Sequence, residues 1–233
     1  MGRGWVHGVR VLAAAKKGKA FTKIAKEIAV AVKMGGASPD SNARLRLALK
    51  DAQKNSMPKD TVERAIKRGL GGSGEAALEE TTYEGYGPHG VAAIVETLSD
   101  NKNRTVQDLR NAFQRGGGSM GETNSVQWMF ERIGSIIAKS ETNKTDLEEV
   151  AIMAGANEVE SLDQGQVHFI TNPTDVDTVQ KALAEQGWEI LKAEQGYKAK
   201  TPQDLTPEQE TEVQEFLETL DDNDDVKRIH LSV

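Results

Sequence analysis

The chain has 233 residues and no cysteine, with 37% hydrophobic and 28% charged residues. Without cysteine it can form no disulfide, no thiolate metal site and no cysteine nucleophile, and no apolar run approaches the length that crosses a bilayer. The length favours two or three small globular domains, and the lack of a signal-peptide core predicts a cytoplasmic protein.

Charge is divided unevenly along the chain. Residues 1–70 carry 16 Lys and Arg against 5 Asp and Glu, a net charge of +11, whereas the remainder carries 13 against 31, a net charge of −18. The overall value of −7 hides this division. A basic first part joined to an acidic body predicts that the first part binds a polyanion.

The basic first part shows helical periodicity. Apolar residues recur at three- and four-residue spacing in 20–34 and again in 43–55. Pro58 stands where the first residue of a third helix is expected, and Gly69 follows its end. Helices this short must pack together to be stable, so we predict an all-helical domain over 1–77 that ends in a glycine-rich linker.

The second part of the chain alternates between extended and helical patterns. Strands are predicted at 91–98 and 121–130 and a helix at 103–118, and the segments of 134–200 follow in the order βαββαβ, which is typical of a ferredoxin-like domain. A last helix, 207–220, and a last strand, 226–233, have no place in that completed unit. We therefore predict an α+β fold with two ferredoxin-like α/β domains after the helical one, in which the domain 132–201 is inserted into a discontinuous domain made of 78–131 and 202–233.

Residues 83–90 contain a G-x-G-x-x-G spacing, the pattern of a dinucleotide-binding loop, in the sequence YEGYGPHG. That chemistry needs a helix N-terminus after the last glycine, because the helix end holds the pyrophosphate. Here the following residues, VAAIVETL, favour a strand, and no Walker-type G-K-[ST] occurs. We predict that these glycines form a tight turn between two extended stretches, and we expect no cofactor.

Three long motifs in this order resemble the YebC/PmpR family of bacterial proteins, which is related to a mitochondrial translational activator of cytochrome oxidase. They are YEGYGPHGVAAIVETLSDNKNRT (83–105), GGASPDSNARLRLALKDAQKNSMPKDTVERAIKRG (35–69) and GETNSVQWMFER (121–132). The resemblance covers most of the chain and implies a helical first domain followed by two α/β domains, one inserted in the other. Two departures stand out: His89 replaces a glycine that is usual in the family, and the first residues have fewer basic side chains than the family usually has.

The resemblance also implies what the protein does. Family members are described as DNA-binding transcriptional regulators, and related members as ribosome-associated factors that assist the translation of proline-rich stretches. Both descriptions require a basic surface and neither implies a reaction. Around the glycine motif, the residues that could line a family loop or cleft are Tyr83, Gly85, Tyr86, Gly87, His89, Asn103 and Arg104.

Nucleic-acid binding is the function that the basic helices favour. Lys and Arg side chains there could neutralise phosphates, while no recognition helix is visible and only 5% of residues are aromatic, so we expect contacts to the backbone with weak sequence selectivity. Our candidates for these contacts are Arg10, Lys16, Lys17, Lys19, Lys23, Arg44, Arg46, Lys59, Arg64, Lys67 and Arg68.

Other classes of function are weaker. The four histidines lack metal-ligand spacing, and the acidic run DDNDD (221–225) lacks the calcium-loop pattern, so we expect no metal site and interpret the run as a solvated turn. We expect no enzyme, no small-molecule substrate and no membrane partner. A purely protein-binding scaffold would leave the basic first part unexplained. The target is then DNA or ribosomal RNA, with the ribosome as a further partner. The residues do not choose between them, and we place DNA-binding transcriptional regulation first because the bacterial family is so described, with a ribosome-associated translation factor as the alternative.

Overall fold

A computed structural model describes residues 17–72, 74, 76–140 and 146–233 of the chain, with side chains from residue 19 onward. Contacts separate these residues into two units. One unit comprises residues 131–198, and the other comprises the described residues up to 130 together with Ala199–Val233. No helix among the described residues is long and apolar enough to span a bilayer.

Three helices open the larger unit: α1 (Lys17–Gly35), α2 (Ala43–Lys54) and α3 (Lys59–Gly69). Asn42 fixes the start of α2, because its side chain accepts a hydrogen bond from the Leu45 N–H and donates one to the Ala31 carbonyl of α1. Pro58 precedes α3 as its N-cap, one position earlier than predicted. The helices share a buried core that includes Ile28, Leu45 and Ala65.

The remaining elements follow in chain order. They are β1 (Glu79–Tyr86), β2 (Ala92–Ser99), α4 (Lys102–Arg115), β3 (Ser119–Met120), β4 (Phe130–Lys139), α5 (Leu147–Ala154), β5 (Glu158–Ser161), β6 (Gln166–Thr171), α6 (Val176–Glu185), β7 (Glu189–Ala199), α7 (Pro207–Asp221) and β8 (Val226–Leu231).

The larger unit contains an antiparallel sheet of strand order β3-β1-β2-β8. The last strand of the chain therefore completes a sheet that begins at residue 79, as the pattern of the tail predicted. Helices α4 and α7 pack on this sheet around Phe113 and Phe216, whose rings meet edge to face with centroids 5.4 Å apart. The 3₁₀ turn Pro88–Gly90 joins β1 to β2, which confirms the predicted turn between two extended stretches.

The smaller unit has the strand order β5-β6-β4-β7, with α5 and α6 contributing to its core. This order, produced by a βαββαβ sequence of elements, is that of the ferredoxin-like split βαβ arrangement. Phe169 and Trp188 meet edge to face at its centre, with ring centroids 5.3 Å apart. The α+β fold class, with helices first and two antiparallel sheets after them, is confirmed; the predicted three-domain boundaries stay a prediction.

The strand predicted at 121–130 is wrong over most of its length. Strand β3 comprises only Ser119–Met120, and residues 121–129 form a loop that ends in a 3₁₀ turn before β4. The cause is Glu84, whose buried carboxylate accepts hydrogen bonds from the N–H groups of Asn124, Val126 and Gln127 at 2.7–2.9 Å. Since those N–H groups bind a side chain, they are not available to a strand ladder.

Candidate nucleic-acid interface

The predicted phosphate-binding residues fall into three groups. Arg10 and Lys16 lie outside the described residues, and of Lys17 only the backbone, at the start of α1, is described. A second group lies in ion pairs with carboxylates of the same unit, and a third group is exposed. The second group matters most for the basic surface, because its side chains are already paired with carboxylates.

Lysines of α1 contact the acidic turn between α7 and β8. Lys23 Nζ lies 2.7 Å from Asp221 Oδ1 and 2.8 Å from the Asp221 carbonyl oxygen, and Lys19 pairs in the same way with Asp222. One turn further along α1, Lys26 Nζ lies 2.5 Å from Asp225 Oδ1. The ammonium groups thus neutralise the carboxylates and also bind carbonyl groups at the C-terminal end of α7, where the helix dipole favours cations.

Asp225 is the buried centre of this contact, with a side chain only 4% exposed. Its carboxylate accepts hydrogen bonds from Arg104 Nη2 at 2.9 Å, Thr105 Oγ1 at 2.8 Å and Ser99 Oγ at 3.1 Å. Burial alone would raise the pKa of Asp225, but the hydrogen bonds from Lys26, Arg104 and Thr105 outweigh it and lower that pKa to about 2. The sequence-based interpretation of 221–225 as a solvated turn is therefore wrong for its last residue, because the Asp225 carboxylate is buried and accepts several hydrogen bonds.

Arg44 belongs to a second ion cluster. Its guanidinium lies 2.6 Å from Glu27 Oε1 and 2.7 Å from Glu80 Oε1, and Lys227 Nζ lies 3.1 Å from each of the same two carboxylates. Burial would raise the pKa of Glu27, but the charge of Lys227 and the hydrogen bond from Arg44 lower it to about 2. The cluster joins α1 and α2 to β1 and β8, so Arg44 connects the helices to the sheet.

The candidate phosphate-binding residues on α3 are likewise either paired with a carboxylate or exposed without one. Arg68 pairs with Asp100 at 3.1 Å, and Arg64 pairs with Asp60 on its own helix at 3.3 Å. Lys59 and Lys67 are exposed, and within the described part of the chain neither forms an ion pair.

Helix α2 presents a row of exposed cations. Arg46, Lys50 and Lys54 follow one another at four-residue spacing and are all exposed, on the face opposite the buried Leu45 and Ala48. Along a helix, four residues advance by about 6 Å, so the three charges form a line with regular steps. Arg46 donates only to the Pro39 carbonyl, at 3.4 Å, and no carboxylate among the described residues pairs with any of the three.

Lys50 and Lys54 were absent from the sequence-based candidates. The signal for them is present in the sequence, since the spacing of 46, 50 and 54 is helical and is out of phase with the apolar residues. What the sequence could not supply is the contrast with Lys19, Lys23 and Lys26 of α1, which pair with aspartates 221, 222 and 225.

The glycines of the family loop are explained by close packing. A Cβ on Gly85 would lie 2.5 Å from the Ser119 carbonyl oxygen, and a Cβ on Gly87 would lie 2.6 Å from the ring of Phe216. Side chains at either position would push β3 or α7 away from the hairpin. Neither glycine faces a helix N-terminus that could hold a phosphate, which agrees with the interpretation that this is no dinucleotide loop.

The side chains of this loop do not converge on one point. Tyr83 packs against the core of the larger unit, and the Tyr86 hydroxyl donates to the Ser125 carbonyl at 3.3 Å. His89 Nε2 lies 3.0 Å from Glu212. Arg104 binds Asp225, while Asn103 lines a depression of about 290 Å³ at the start of α4.

The described residues contain no group of three or more His, Asp or Glu side chains that could hold a metal ion. The feature that the candidate interface offers is its arrangement of charge. It consists of the exposed row Arg46, Lys50 and Lys54, with Lys59 and Lys67 on the neighbouring helix.

Comparison with known proteins identifies the family to which this architecture belongs. The family description "TACO1/YebC second and third domain" matches residues 78–233, and "TACO1/YebC protein N-terminal domain" matches residues 9–72. The chain is 50% identical over 234 residues to a probable transcriptional regulatory protein of Bdellovibrio bacteriovorus, covering 100% of both chains. It is 47% identical to one of Pseudomonas fluorescens, covering 97% of each.

A solved structure has the same fold. The crystal structure of the conserved hypothetical protein Aq1575 from Aquifex aeolicus is similar with a TM-score of 0.83 and 37% sequence identity, covering 94% of this chain and 90% of that one. The sequence motifs, the two antiparallel sheets and these similarities agree. The chain belongs to the TACO1/YebC family.

Proposed function

We propose that this protein is a non-enzymatic, cytoplasmic regulator of gene expression that binds nucleic acid, and specifically DNA, through its helical region. The observation that carries the proposal is the line of exposed, unpaired cations at 46, 50 and 54 on α2. Relatives that are 47–50% identical are named probable transcriptional regulatory proteins, which supports a regulatory role.

The proposal assigns the contact to α2 rather than to α1. A polyanion approaching Lys19, Lys23 or Lys26 would have to displace aspartates that already satisfy those ammonium groups. By contrast, Arg46, Lys50 and Lys54 would exchange only water and counterions for phosphate oxygens. The regular step of about 6 Å suits a repeating phosphate backbone, and the contact reads charge rather than base sequence.

Replacing Arg46, Lys50 and Lys54 together with alanine tests this assignment. We expect the triple variant to bind duplex DNA more weakly. We also expect the slope of log K against log salt concentration to become shallower by about 2 to 3, because each lost phosphate contact removes about 0.9 from that slope. The matched control replaces Arg110, Arg115 and Lys181, three exposed cations on α4 and α6, and changes the net charge equally. Equal losses in both variants would show that only net charge matters, and would contradict the assignment.

A second experiment separates DNA from the ribosome as the target. Lysate is fractionated on a sucrose gradient at low and high salt, and retention on promoter DNA is measured over nonspecific competitor. Retention on DNA without ribosome co-migration supports transcriptional regulation. Salt-sensitive co-migration with ribosomes would overturn the DNA assignment and support the alternative, a translation factor that binds ribosomal RNA.

A further inference from the structure

Trp128 is presented to solvent at the end of the loop that follows β3. Its side chain is 67% exposed, and it is the one aromatic ring among the large apolar side chains that the described residues expose. An indole offers a large flat apolar surface with one polar N–H, and tryptophan is enriched at interfaces for this reason.

The ring is held in place rather than left mobile. Trp128 Nε1 donates to the Ser125 carbonyl at 3.1 Å, and the Tyr86 hydroxyl donates to the same carbonyl at 3.3 Å. The loop itself is fixed by the three N–H groups that bind the buried Glu84 carboxylate. A ring fixed in this way loses little conformational freedom when a partner binds it.

The bonding of the ring also limits what its partner can be. Because the indole N–H already has an acceptor, a partner is offered the ring faces and not a hydrogen bond. The exposed Lys200 contacts the backbone of the same segment: its N–H donates to the Met129 carbonyl and its Nζ donates to the Trp128 carbonyl, both at 2.9 Å. An ammonium has three donors, so the Lys200 side chain, bound at the Trp128 carbonyl, retains donors for an anion.

An exposed indole on a residue whose carbonyl binds an ammonium fits a nucleotide whose base is not paired. The base stacks on the indole and its phosphate lies near the ammonium, which is how proteins bind single strands without reading their sequence. Bases inside a duplex already stack on their neighbours and do not offer a face. We infer that Trp128 and Lys200 form a stacking site for an unpaired nucleotide, and this inference rests on the nucleic-acid binding proposed above.

The test compares single strands with and without bases. Fluorescence anisotropy measures the affinity of the full-length protein for a labelled oligo(dT) or oligo(U) and for an abasic strand of the same length. We expect the wild type to bind the strand with bases more tightly, Trp128→Ala to lose that advantage by about tenfold, and Trp128→Phe to keep most of it. Quenching of tryptophan emission by the oligonucleotide should occur in the wild type and be much weaker in Trp128→Phe.

Three outcomes would overturn the inference. They are equal wild-type affinity for the two strands, unchanged affinity of Trp128→Ala, and quenching of Trp128 by a proline-rich peptide but not by the oligonucleotides. Thermal unfolding of Trp128→Ala controls for folding, which an exposed side chain should hardly affect. The variant lacking Arg46, Lys50 and Lys54 should lose affinity for both strands alike, so a failed stacking site is distinguishable from a failed cation row. Absence of binding to either single strand by the wild type would overturn the stacking site, and the measurement with duplex DNA tests the proposed function separately.

Discussion

His89 stands in a backbone conformation that suits glycine. Its φ of 58° and ψ of 18° lie in the left-handed region, and the next residue, Gly90, also has a positive φ. The family resemblance implies glycine at this position, so histidine here introduces local strain. The imidazole offsets part of that strain by its contact with the Glu212 carboxylate at 3.0 Å.

Substitutions at His89 should separate the strain from the contact. We expect the free energy of unfolding of His89→Gly to be about 1 kcal/mol higher than that of His89→Ala. Both variants lack the imidazole, but only alanine has a Cβ that is strained in the left-handed backbone conformation. Urea unfolding of the two variants measures the difference. Equal stability would mean that the turn relaxes to another conformation and that the left-handed backbone costs nothing.

At the scale of elements, the turn between α7 and β8 connects parts of the chain that are far apart in sequence. Asp225 accepts hydrogen bonds from Lys26 of α1 and from Arg104 and Thr105 of α4, and its carbonyl accepts one from the Leu98 N–H of β2. An acidic run that looks like a solvated turn in the sequence therefore organises the start of α4 and the position of α1.

Because of this turn, the free energy of unfolding should depend on pH in the acidic range. The pKa of Asp225 is about 2 in the folded protein, below its ordinary value of 3.8. The ionised carboxylate therefore stabilises the fold fully at pH values above 3.8, and this stabilisation is lost as the pH falls toward 2. We expect Asp225→Asn to lower the free energy of unfolding by about 2 kcal/mol at pH 7, and the gap to the wild type to narrow between about pH 5 and pH 2.

Urea unfolding at several pH values measures this gap. Asp163→Asn, which changes an exposed aspartate of the smaller unit, serves as the control and should show little loss at any pH. A gap for Asp225→Asn that stays constant down to pH 2 would mean that the ionised carboxylate is not the source of its stabilising effect.

Across the larger unit, the helical region is attached to the sheet by more than its linker. The contacts of α1 with the acidic turn form one attachment, and the cluster of Glu27, Arg44, Glu80 and Lys227 forms another. A small apolar cluster, Ala29, Val30, Leu78 and Leu98, adds a third. Cations of the helices thus divide into two sets, those that attach the helices to the sheet, including Arg44 of α2, and the exposed row Arg46, Lys50 and Lys54 of α2.

Two triple variants should separate these purposes. Replacing Lys19, Lys23 and Lys26 with alanine should speed amide hydrogen exchange in α1 by tenfold or more, since paired and partly buried ion contacts typically contribute more than 1 kcal/mol together. Replacing Lys50, Lys54 and Lys59 removes the same charge from exposed positions and should leave exchange in α1 unchanged while weakening nucleic-acid binding. Equal exchange in the two variants would contradict the division.

Much of the fold could be predicted from the sequence because local patterns carry it. Periodic apolar residues indicate the helices, β-branched runs indicate β2 and β8, and a helix and strand left over after 201 indicate that the chain returns to an earlier sheet. The predicted strand at 121–130 failed because Glu84, some 40 residues earlier, takes the N–H groups that a ladder would need. That competition is not visible in any local pattern.

For the candidate site, the sequence by itself determined the charge: a basic first part, an acidic remainder and a cation at every fourth position of α2. Only the tertiary structure decided which cations are available. Lys19, Lys23 and Lys26 also recur at three- and four-residue spacing on a helix, but the last residues of α7 and the turn after it bring aspartates against them. Ion pairing depends on distances of a few ångströms between residues that lie about 200 positions apart, and only the folded chain sets those distances.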